Sequence, residues 1–134
     1  MKSFLKKVNM IILFQPYIEK AIEFYTKLGL KLLFHIPNQW AEFQLGEVKI
    51  GLYQIDETLP ERRPGIVFEV DDVQHMYDEL QNEVAFIGKP VEKPHGIMVS
   101  FKDPGGNILD LYQPTPEKLK AYLDSLKKEQ EESQ

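Results

Sequence analysis

The chain has 134 residues, 43% of them hydrophobic, and a formal net charge of -5 with no basic cluster. That is the size of one ordinary domain with apolar content enough for a packed core, so a disordered chain is excluded, and the charge excludes a nucleic-acid footprint. The absence of cysteine excludes disulfides, thiolate zinc sites and a cysteine nucleophile.

The opening "MKSFLKKVNMIILF" superficially resembles a signal sequence. Its apolar run is too short, Gln15 and Pro16 stop it, and no small-residue cleavage site follows. No segment is long enough to span a membrane. The expectation is a soluble, cytoplasmic, single domain that binds neither nucleic acid nor membrane.

"VNMIILFQ" (Val8 to Gln15) is apolar and rich in branched side chains, and predicts a buried strand. In "IEKAIEFYTKLGL", Ile18, Ala21, Ile22, Tyr25 and Leu28 recur at helical spacing, with Gly29 placed to stop the helix. "KLLFHI", "WAEFQL" and "VKIGLYQ" predict three strands separated by Pro37-Asn38 and Gly46-Glu47. The second half repeats this order. "GIVFEV" (Gly65 to Val70) predicts a strand, "VQHMYDELQNE" a helix with Val73, Met76, Tyr77 and Leu80 on one face, and "VAFIGKPVE", "GIMVSFKD" and "ILDLYQ" three more strands. The polar link "DETLPERRP" separates the halves. "DPGGN" (Asp103 to Asn107) predicts a hairpin turn in which Pro104 presets the bend and the glycines accept positive φ. The tail predicts a helix with Thr115 as N-cap, Pro116 at its first position and an apolar stripe of Leu119, Tyr122, Leu123 and Leu126, fraying from Lys127 onward. A duplicated strand–helix–three-strand unit makes two small sheets, each with one face on its helix and one face open, and two such sheets side by side enclose a cleft.

The segments "IEKAIEFYTKLGLKL", "IVFEVDDV" and "DPGGNILDLYQP", in that order, resemble the glyoxalase / bleomycin resistance / extradiol dioxygenase family, the vicinal oxygen chelate superfamily. The resemblance covers residues 5 to 114. It implies an α+β fold of two paired βαβββ modules (about 5–55 and 64–114), here with an added C-terminal helix at 116–130, and a homodimer. It also implies a divalent metal held at four places, which fall on Met10, Gly51, Gly65 and Asp110. Only Asp110 carries an oxygen or nitrogen donor, whereas catalytic sites for zinc, nickel, iron or manganese need about three such protein ligands. The expectation is no metal and no other cofactor. Histidines 35 and 75 read as isolated surface or edge residues; His95, in "PHGI" just before a cleft-forming strand, is harder to set aside.

Strand alternation then gives the cleft lining. Asp110 shares a face with Ile108 and Tyr112, Met10 with Ile12 and Phe14, Gly51 with Lys49 and Tyr53, and Gly65 with Val67 and Glu69. Trp40, Glu42 and Gln44 face the opening while Ala41, Phe43 and Leu45 bury on the helix side; Met98, Ser100 and Lys102 complete the set. Glycines 51 and 65 leave space where a metal and its histidine would sit. The expected ligand contacts are Phe14, Trp40, Glu42, Tyr53, Glu69, Met98, Asp110 and Tyr112, suited to a planar or amphipathic small molecule, including one with a cationic group. Asp110 is a candidate general base or ligand counter-ion. Function reads as metal-independent small-molecule binding, such as antibiotic or metabolite sequestration. The alternatives are a metal-dependent lyase, isomerase or dioxygenase of the same superfamily, and a scaffold or interaction module without a site.

Overall fold

The structure, a computed structural model, describes residues 6–56 and 60–132; the first five residues of the signal-like stretch and the middle of the predicted linker lie outside the described residues. The chain forms two compact units, Met1–Arg62 with Asp103–Asn107, and Arg63–Lys102 with Ile108–Gln134.

The first unit runs β1 (Met10–Gln15), α1 (Ile18–Lys27), β2 (Lys31–Ile36), β3 (Trp40–Leu45) and β4 (Val48–Gln54). Its sheet has the order β1-β4-β3-β2, with β1 parallel to β4 and the other neighbours antiparallel. The second unit runs β5 (Val67–Glu69), α2 (Val73–Leu80), β6 (Ala85–Lys93), β7 (Gly96–Lys102) and β8 (Ile108–Pro114), in the order β5-β8-β7-β6 with the same pattern of directions, and then α3 (Pro116–Glu132). The predicted duplication is therefore present as two like-wound four-stranded mixed sheets in an α+β fold.

Period-2 alternation sets which side chains reach each core. In the first unit Leu13, Ala41, Phe43, Ile50 and Leu52 are buried with Ile18, Ala21 and Tyr25 of α1, which packs on β3 and β4. In the second, Val99, Phe101, Leu109 and Leu111 are buried with Val73 of α2. Leu45 departs from the expectation: it is 39% exposed, at the last position of β3 beside the Gly46 turn.

The helix starts reveal a device tied to the repeat. The Ile18 N–H donates to Gln54 Oε1 at 3.0 Å, and the Val73 N–H donates to Gln113 Oε1 at 3.0 Å. Both glutamines close a repeated "LYQ" at the end of the last strand of their sheet. Each supplies from a neighbouring strand an acceptor for the first helical N–H, one of the donors that a helix start leaves without an intrahelical partner. In α2 the Asp72 carboxylate adds a local cap by accepting from the His75 N–H at 3.0 Å. At the far end of α1, Gly29 takes φ +95, and the N–H groups of Leu28, Gly29 and Leu30 bond back to the last turn, as the predicted glycine stop requires.

Four local expectations change. The first strand begins at Met10 rather than Val8 and is buried on one side only, with Leu13 and Gln15 inside and Ile12 and Phe14 exposed, because its other side is the open face of the sheet. The fifth strand is shorter than Gly65–Val70, because Gly65 adopts φ +80 and lies before β5 begins. Thr115 stands where an N-cap would, its carbonyl accepting from the Leu119 N–H, but its hydroxyl donates to the Pro94 carbonyl. And α3 stays helical through Lys127 to Glu132.

Candidate functional site

The open face of the first unit is ordered in rows by its register. One row sets Phe14, Tyr53 and Trp40 side by side across β1, β4 and β3; the next sets Ile12, Gly51 and Glu42; the next Met10, Lys49 and Gln44. The aromatic row packs edge to face, with Phe14–Tyr53 centroids 6.1 Å apart at 71° and Trp40–Tyr53 centroids 6.3 Å apart at 89°, geometries that the ring quadrupoles favour. Phe14 is 43% and Tyr53 50% exposed.

The indole of Trp40 lies diagonally over Gly51. A Cβ at Gly51 would fall 2.5 Å from Trp40 Cη2, 2.8 Å from Cζ2 and 3.1 Å from Met10 Sδ. The space expected at Gly51 is thus filled by an aromatic ring, with Met10 Sδ beside it. The indole Nε1–H donates to Glu42 Oε1 at 3.2 Å, and Lys49 Nζ lies 3.8 Å from Glu42 Oε2. At an effective dielectric of about 20, a unit charge about 4 Å away contributes roughly 4 kcal/mol. Lys49 therefore offsets part of the attraction that Glu42 would offer a second cation.

In the second unit one row sets Glu69, Tyr112 and Met98 together, and the next Val67, Asp110 and Ser100. Asp110 takes the place in its sheet that Gly51 takes in the first. Its Oδ1 accepts from the Ser100 hydroxyl at 2.5 Å and stands 3.5 Å from Arg63 Nη1, so the acid singled out by the sequence already has a hydroxyl donor and a guanidinium. Gly65 is the corner that stays open, with nothing within 4 Å of the place a Cβ would take, but its φ of +80 would strain any other residue there. His95 is tied to this face: its Nδ1 is 3.2 Å from the Tyr112 hydroxyl, which donates to the His95 carbonyl at 2.6 Å. Gly96 makes room for that ring, since a Cβ there would fall 2.9 Å from Tyr112 Cζ. His35 is exposed, and His75 is an exposed partner of Glu79 at 3.3 Å.

The turn from Asp103 to Asn107, which belongs to the first unit, does more than reverse the chain. Asp103 is 3% exposed. Its Oδ1 accepts from the N–H groups of Gly105 and Asn107, each at 2.9 Å; its Oδ2 accepts from Gln15 Nε2 at 2.7 Å and from the Tyr25 hydroxyl at 2.8 Å. Burial foremost, and then the Asp103 charge, hold the Tyr25 hydroxyl well above the usual tyrosine pKa. Only Gly106 takes positive φ in this turn; Gly105 is needed for close approach, since a Cβ there would fall 2.7 Å from the Phe14 carbonyl oxygen. Reading "DPGGN" as a turn missed this anchor, because its partners Gln15 and Tyr25 are distant in sequence.

The residues at the four positions that the resemblance assigns to a metal do not fit a divalent ion: a thioether, a glycine under an indole, a left-handed glycine and one paired aspartate. Among the described residues no group of three or more His, Cys, Asp and Glu side chains is arranged to hold one. No helix among the described residues is long and apolar enough to cross a membrane.

The sequence profile of the Glyoxalase/Bleomycin resistance protein/Dioxygenase superfamily matches residues 7–111. No curated protein matches the chain. Among solved structures, TnmS3, an antibiotic binding protein from Streptomyces sp. CB03234, is 28% identical with a TM-score of 0.71, over 85% of this chain and 100% of that one. A superfamily member from Sphaerobacter thermophilus DSM 20745 is 23% identical with a TM-score of 0.69 (83% and 99% covered), and a lactoylglutathione lyase from Agrobacterium tumefaciens is 17% identical with a TM-score of 0.67 (83% and 96% covered). The last two likenesses carry the fold alone. With a profile match over most of its length and two like-wound sheets, this chain belongs to the glyoxalase/bleomycin resistance protein/dioxygenase superfamily.

Proposed function

We propose that this protein is a metal-independent binder of a small planar or amphipathic molecule, an antibiotic or metabolite that it sequesters in the cytoplasm as a homodimer. The observation that carries the reading is the indole of Trp40 lying over Gly51 against Met10, where the superfamily's metal would need ligands. The likeness to an antibiotic binding protein supports the same reading. On the first unit Phe14, Trp40, Glu42 and Tyr53 are the proposed contacts; on the second, Glu69, Met98, Asp110 and Tyr112. Met98 and Tyr112 offer apolar surface, and Asp110, backed by Ser100 and Arg63, accepts a hydrogen bond from the ligand.

A thermal-shift screen of planar and amphipathic compounds in chelator tests this. A ligand at a hundred times its dissociation constant stabilises a folded protein by about 2.7 kcal/mol, which is several degrees in Tm at this chain length. Saturable stabilisation by one compound class is expected. A broad library without a single stabilising compound would overturn binding and favour a scaffold module. Sedimentation at micromolar concentration tests the homodimer, with a monomer as the contrary result.

A further inference from the structure

We infer that the open sheet face of the first unit selects an uncharged planar aromatic ring, stacked on Trp40, over cationic or anionic rings of the same shape. The inference rests on the binding reading above and deepens it to a ligand class. The first support is how the ring is seated. Trp40 lies over Gly51, meets Tyr53 in a T-shaped contact and donates its Nε1–H to Glu42. An indole fixed by these three contacts and still partly exposed presents a preformed flat surface, so a ligand does not have to order it on binding. The second support is charge. Glu42 is the acid beside that ring, and it already has Lys49 within 3.8 Å and the indole N–H. A ligand cation drawn to Glu42 would be repelled by Lys49, and a ligand anion drawn to Lys49 would be repelled by Glu42, so neither sign recovers the desolvation cost of its charge, a cost that an uncharged ring does not incur.

Trp40 is the chain's one tryptophan, so its fluorescence reports this face alone. Acridone, proflavine and an acridine carboxylate are planar tricycles that are neutral, cationic and anionic at neutral pH. The full chain is titrated with each, reading Trp40 quenching and, as an independent measure, calorimetry. Acridone is expected to saturate at a concentration at least tenfold below the other two. Lys49→Met, a half-exposed position that does not enter the core, should narrow or invert the ratio between acridone and proflavine. Tightest binding by proflavine or the carboxylate to the unaltered chain would overturn the charge assignment while leaving small-molecule binding intact. An unchanged ratio in Lys49→Met would also overturn it. Failure of all three tricycles, together with an empty thermal-shift screen, would overturn both readings; their failure alongside a stabilising compound of another shape would overturn this one alone.

Discussion

Gly51 holds its place by having no side chain. The ring above it stands where a Cβ would be, so Gly51→Ala must push Trp40 off its seat. Overpacking of this kind costs about 1–3 kcal/mol. The expected result is a folded protein with shifted tryptophan emission and at least tenfold weaker ligand binding; unchanged emission would mean that the ring does not rest there. Asp110 makes a different prediction. It lies at the sheet surface with its side chain 18% exposed, so Asp110→Asn should weaken ligand binding with a stability loss of less than about 1 kcal/mol in urea unfolding. A large loss of stability would instead mark the acid as structural. Asp103 is the reverse case. It is buried and satisfied by five donors, so Asp103→Ala should cost roughly 3 kcal/mol or more by leaving several of them unpaired. Tyr25 couples this anchor to pH. Its folded pKa is raised, so the folded state holds the proton more tightly than the unfolded chain. The resulting stability is complete below the unfolded tyrosine value of about 10 and falls as pH rises above it. Denaturant midpoints taken through that window should drop, and Tyr25→Phe should flatten the drop.

At the level of elements, the two glutamine caps explain how each sheet fixes the start of its own helix. Tyr17, at the N-cap of α1, makes no side-chain cap bond, and Gln54 reaches in from β4. Gln54→Ala and Gln113→Ala should each cost about 1 kcal/mol, the loss expected for a helix cap. Gln54→Ala should cost the more, because its Nε2 also donates to the Pro16 and Ile55 carbonyls. Unchanged stability at both would show that solvent satisfies those amides equally well. The edge strands β2 and β6 both carry register breaks, between Leu32 and Phe34 and between Ile87 and Val91, a feature that discourages edge-to-edge pairing. That matters for β2, where Leu33, Phe34 and Ile36 are all more than two-fifths exposed.

Across the whole molecule, the order of elements was legible because each is short and strongly periodic: alternation marks β3, β7 and β8, and a three-to-four spacing marks α1. The register was legible where both hairpin partners alternate, which is why Trp40 and Glu42 fall on the face opposite α1. Other features were not readable, for specific reasons. The Trp40 ring over Gly51 is a diagonal contact between two strands, which no single-strand pattern announces. Arg63 beside Asp110, and Gln15 and Tyr25 around Asp103, are meetings of residues far apart in the chain, with no local pattern to announce them. Leu45 departs because alternation says which side a residue faces and not how deeply the end of a strand is buried.

Ligand binding without a metal is the property on which the proposed function stands. The most direct test purifies the protein without chelator and determines its metal content. The melting shift given by the best compound of the screen is then measured in EDTA and again with added nickel, zinc, iron or manganese. Metal-independent binding predicts far less than one metal per chain and the same shift in every condition; stoichiometric metal, or a shift that vanishes in EDTA and returns with one of these ions, would contradict it.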